Sequence, residues 1–67
     1  MKRAKQERTR LGLSGLEVAR RAKLAPGTLS QIESGRFIPY EKQLVRLADA
    51  LGWTGIPEAL LEDVQES

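Results

Sequence analysis

SGLEVARRAKLAPGTLSQIESG, residues 14 to 35, reads as a helix, a tight turn, a second helix and a glycine stop. Ser14 stands at an N-cap position and Glu17 follows three residues later, the pattern of a capping box, with Leu13 and Val18 at the flanking staple positions. Ala19 and Ala22 keep the inner face small, so this short helix can press closely against a neighbour. Lys23-Leu24-Ala25 has no apolar periodicity. Pro26 favours the first turn of a helix and disfavours helical geometry at Ala25, so the break falls there. A second short helix runs to about Ser34, with Leu29 and Ile32 spaced to face inward and Gly35 ending it. Two short helices joined by a turn of about four residues have helix-turn-helix geometry.

Outward from this stretch, residues 2 to about 11 read as a helix, rich in good helix formers and free of Gly and Pro. Ala4 and Leu11 share a face with Arg8 between them, which puts an arginine on the inner side of a polar helix. Gly12 ends it. Beyond Gly35, Arg36-Phe37-Ile38-Pro39 is a loop whose Phe37 and Ile38 either cap the core or form a dimer contact. Tyr40 to Leu51 carries Leu44, Leu47, Ala48 and Leu51 at i, i+3, i+4 and i+7, a core-facing stripe stopped by Gly52. Trp53 to Ile56 reads as a turn, and Pro57 as the start of a last helix carrying Leu60, Leu61 and Val64. That helix either covers the core or offers a partner-binding face. Residues 65 to 67 are expected to fray.

With 67 residues, the chain is expected to be one small domain with one small core, for which dimerisation is a natural support. It has no cysteine, which excludes disulfides and suits a reducing compartment. No segment has the length of a membrane-spanning helix, and residues 1 to 10 lack a signal-peptide apolar stretch, so the expectation is a cytoplasmic, nucleoid-associated protein. Net charge is only +2, but it is unevenly spread. Lys2, Arg3, Lys5, Arg8 and Arg10 oppose Glu7 in the first ten residues, whereas Glu58, Glu62, Asp63 and Glu66 make the tail wholly acidic. A basic front half points one face of the molecule at an anionic partner.

The set Gly12-Leu13-Ser14, Val18-Ala19, Thr28-Leu29-Ser30, Ile32-Glu33-Ser34-Gly35 and Ala48-x-x-Leu51-Gly52, with Pro39 between, resembles the phage repressor and Cro family, the XRE-type helix-turn-helix regulators. The resemblance covers roughly residues 3 to 53 without an insertion before Pro39. It implies an all-α, five-helix, lambda-repressor-like domain spanning 1–67, with the helix-turn-helix at about 14–35. It further implies that Arg8 pairs with Glu33, a structural ion pair that fixes the orientation of two helices.

Catalysis finds little material. Without His or Cys, the usual general base, the thiol nucleophile and the nitrogen and sulfur metal ligands are all missing. Glu62 and Asp63 are adjacent and diverge on a helix, and no Gly-rich phosphate loop is present. The reading is a non-enzyme with no cofactor and no metal. Binding duplex DNA needs only one helix in the major groove and flanking groups on phosphates. The second helix of the motif would offer Pro26, Gly27, Thr28, Ser30 and Gln31 to the bases, and Gln31 can pair in bidentate fashion with adenine. Phosphates would meet the amide end of the preceding helix at Gly15, the side chains of Arg10, Arg20, Lys23 and Arg36, and Ser34.

There are three departures from the family pattern: Gly15 where glutamine is common, Ala25 where a polar cap is usual, and Pro26-Gly27 at the first base-reading positions. Specificity then leans on Gln31, backbone amides, DNA shape and the loop or an N-terminal arm in which Lys2 and Arg3, if disordered, follow the phosphates or enter a minor groove. The functional expectation is a transcriptional regulator, a repressor that binds a pseudo-palindromic operator as a homodimer. Two rivals stand beside it: an antitoxin or accessory module using Trp53, Leu60, Leu61 and Val64 against a protein partner, and non-specific nucleoid association.

Overall fold

The computed structural model describes residues 1–65 and is built from four α-helices and one short 3-10 segment. In chain order these are α1 (Arg3–Arg10), α2 (Gly15–Ala22), α3 (Pro26–Ser34), α4 (Glu41–Leu51) and the 3-10 segment Pro57–Leu61. The expected fraying of residues 66 and 67 lies outside the described residues.

Local chemistry accounts for the helix ends. Ser14 Oγ accepts the Glu17 amide at 3.1 Å, which fixes the start of α2. The reciprocal half of the expected capping box is not made, because the Glu17 carboxylate turns along the helix to Arg21 at 2.7 Å. Helix α4 opens with the Tyr40 amide donating to Gln43 Oε1 at 2.8 Å. All four helices close with the same pair of bonds, in which the left-handed residue and its successor donate back into the last turn. Gly12, Gly35 and Gly52 take the left-handed position in three of them. At the end of α2 that position holds Lys23, with φ 57° and ψ 41°, although a side chain disfavours it. The Leu24 amide reaches Ala19 O at 2.8 Å there, and the turn carries Leu24 into the core.

Apolar burial joins the elements. Val18, Ala19 and Ala22 of α2, Leu29 and Ile32 of α3, and Leu44, Leu47, Ala48 and Leu51 of α4 form one cluster with Ala4, Leu24 and Leu60. Helix α2 packs most extensively on α4, where its two alanines permit close approach. Arg46 of α4 adds a polar tie, its Nε donating to Ala22 O at 2.9 Å and so satisfying a carbonyl at the end of α2. Leu11, expected inside with Ala4, is exposed because the chain has already left α1. In the loop after α3, Phe37 packs on the core and meets Tyr40 edge to face, whereas Ile38 is 79% exposed.

The expected fifth α-helix is not present among the described residues. After Pro57–Leu61 the backbone extends at Glu62, and Val64 lies on no helix. The cause is distant: Arg3 N donates to Glu62 O at 2.8 Å and Val64 N to Met1 O at 2.7 Å, so the tail pairs antiparallel with residues 1 to 3. A helix continued through Glu62–Val64 would turn these groups inward along its own axis. Leu60 is fully buried and Leu61 half-buried, so the segment covers the core despite being shorter and tighter than expected.

Candidate nucleic-acid interface

Helix α3 is held by its inner face and its far end. Leu29 and Ile32 are 2% and 1% exposed, which leaves the opposite face outward. Arg8 grips Glu33 with two parallel bonds, Nε to Oε2 at 2.7 Å and Nη2 to Oε1 at 3.0 Å, and its third nitrogen donates to Leu13 O at 3.0 Å. Both side chains are largely withdrawn from solvent. The carboxylate raises the Arg8 pKa against the cost of burial, so the charge is kept. One arginine therefore connects α1, the loop before α2, and the last turn of α3.

On the outer side, Pro26, Gly27, Ser30 and Gln31 are exposed and Thr28 is half-buried. The Gln31 amide makes no hydrogen bond among the described residues, so all of its donor and acceptor capacity faces outward. Ala25 provides no side-chain cap, and Thr28 and Leu29 donate to its carbonyl instead, at 3.0 and 3.2 Å. Ser34 is less available than its sequence position implies, because its hydroxyl donates to Gln31 O at 3.1 Å.

The expected cations divide into two groups. Arg20, Lys23 and Arg36 are exposed and make no ion pair among the described residues. Lys23 sits in the turn between α2 and α3, and Arg36 directly follows α3. Arg10 is committed elsewhere, its guanidinium on Glu7 at 2.9 Å. That contact lowers the Glu7 pKa and raises that of Arg10, each favouring its charged form. Gly15 opens α2, and because Ser14 takes the Glu17 amide, the Gly15 and Leu16 amides ahead of it have no carbonyl one turn back to bond.

The N-terminal arm is tied down. Lys2 Nζ lies 3.3 Å from Asp63 Oδ1 and Arg3 Nε 3.7 Å from Glu62 Oε1. Sequence reasoning missed this closure, the Arg46 tie and the left-handed Lys23. The opposite charge of the two ends was a visible hint for the first; nothing local announced the second, which joins residues 24 apart.

A family model described as a helix-turn-helix domain matches residues 2–61. The chain belongs to this helix-turn-helix family, in keeping with its XRE-like motif. No curated protein and no solved structure gives a significant match. Membership of this family suggests DNA binding. Among the described residues, no helix is long and apolar enough to cross a membrane.

Proposed function

We propose that residues 1–67 form a single DNA-binding domain that acts as a sequence-specific transcriptional regulator. It is a repressor working by occupancy of a pseudo-palindromic operator as a homodimer, with half-sites about 34 Å apart. Its place is the cytoplasm, on the nucleoid, and its work is binding rather than catalysis. The observation that carries this reading is the outer stripe of α3: Ser30 and Gln31 are exposed and the Gln31 amide is uncommitted, while Leu29 and Ile32 seal the inner side. Lys23 and Arg36 at its two ends supply phosphate contacts, together with Arg20 and the Gly15 amide. Exposed Ile38 and Ile56 support self-association through apolar surface.

A protein-partner role through the C-terminal segment draws less support, because Leu60 is buried and Trp53 and Leu61 pack on the core. Selection from randomised duplex DNA tests the proposal and is expected to return a two-fold symmetric motif. Gln31→Ala is expected to lose about 1–3 kcal/mol of discrimination at one base pair per half-site. Recovery of no motif, with weak binding lost at moderate salt, would sink the sequence-specific reading in favour of non-specific association.

A further inference from the structure

Lys2 and Arg3 are held against the C-terminal segment by two separable kinds of bond. The first is backbone pairing: Arg3 N to Glu62 O at 2.8 Å, Val64 N to Met1 O at 2.7 Å, and the Met1 amino group to Val64 O at 3.1 Å. The second is charge, with Lys2 on Asp63 and Arg3 on Glu62 at 3.3 and 3.7 Å. The Lys2 stem passes over Gly35, its Cε 3.3 Å from where a β-carbon on that glycine would stand, and Arg36 is the next residue. Lys2 therefore adjoins the end of the outward-facing helix, next to Arg36, which makes no ion pair among the described residues, and Arg3 follows Lys2 at the start of α1. Their acidic partners are 78% and 62% exposed, so the pairs are weak and screened by salt. A polyanion can displace such partners.

We infer that Lys2 and Arg3 are a further phosphate-contacting pair, and that in the free protein Glu62 and Asp63 occupy it in place of DNA. This rests on the DNA-binding reading above. The backbone pairing keeps the arm in position whichever anion it holds, and the acidic tail lowers affinity for any duplex by competing for the same two charges.

The test uses anisotropy of a short fluorescent duplex of scrambled sequence, titrated at salt concentrations from about 50 to about 200 mM. E62Q/D63N removes the competing charge and leaves the backbone bonds in place. It is expected to steepen the salt slope by up to about 1.8, so that its gain in affinity is up to about tenfold larger at the low-salt end than at the high-salt end. The control E41Q/E58Q makes the same change in net charge at exposed residues with no ion pair among the described residues, and is expected to leave the slope nearly unchanged. Adding K2Q/R3Q to E62Q/D63N is expected to abolish that steepening. The inference is overturned if the control reproduces the gain or if the gain survives K2Q/R3Q. Binding with the same slope in all four proteins removes this inference alone, whereas no binding by any of them removes the DNA reading as well.

Discussion

Helices α3 and α4 lie in one core but owe their helicity to different sources. Helix α4 has eleven residues, a four-residue buried stripe and a polar contact at its N-terminus. Helix α3 has nine, opens on Pro26 and Gly27 without a side-chain cap, and buries only Leu29 and Ile32. A glycine inside a helix costs about 1 kcal/mol relative to alanine, so the first turn of α3 is intrinsically weak. Its far end is held by Arg8 on Glu33. An element that must present its outer face to a ligand has fewer residues to give to the core. Contacts from α1 and α2 make up the difference, and those contacts also set its orientation.

The comparison breaks most visibly at α4. Leu47 is fully buried at the centre of its stripe, and Leu47→Ala is expected to cost about 2–5 kcal/mol, read as a fall in the urea midpoint at unchanged slope. A cost below about 1 kcal/mol would mean that the core is not organised on α4. At α3, Arg8→Ala is expected to cost about 3 kcal/mol, because it strands the Glu33 carboxylate. Replacing both partners, Arg8→Met with Glu33→Leu, should recover most of that loss. If it recovers stability but scrambles DNA recognition, the pair acts through orientation. An unchanged melting temperature for Arg8→Ala would defeat the claim outright. The smallest effect sharpens the contrast in caps: Ala25→Ser supplies the missing side-chain acceptor and should stabilise α3 by about 0.5–1 kcal/mol in the same assay.

Much of the fold was legible because its signals act over three or four residues. The glycines at 12, 35 and 52, the Ser14 cap, Pro26 and the Leu44–Leu51 stripe place four helices to within a residue or two of where they stand. The last segment shows how such reasoning fails. Pro57, Leu60, Leu61 and Val64 satisfy a helical pattern, yet the backbone beyond Leu61 is taken by Met1–Arg3. The left-handed turn at Lys23 was not legible for a related reason: the chain needs a left-handed residue wherever α2 must turn sharply into α3, and burial of Leu24 outweighs the local preference for glycine. At the candidate interface, the exposure of Pro26, Gly27, Ser30 and Gln31 could be read from the spacing of Leu29 and Ile32 alone, whereas Thr28, expected among them, is half-buried. Which cations stand free beside them could not.

Amino-acid order by itself determined the helix starts and stops, the apolar faces and the polarity of charge from a basic front to an acidic tail, since each depends on near neighbours in the chain. Tertiary structure decided how those charges are spent. It set Arg8 against Glu33 across 25 residues, joined Lys2 to Asp63 across 61, and left Arg20, Lys23 and Arg36 without ion partners among the described residues. Ion pairs form between groups that packing brings within a few ångströms, and burial of apolar faces elsewhere in the molecule selects which groups those are.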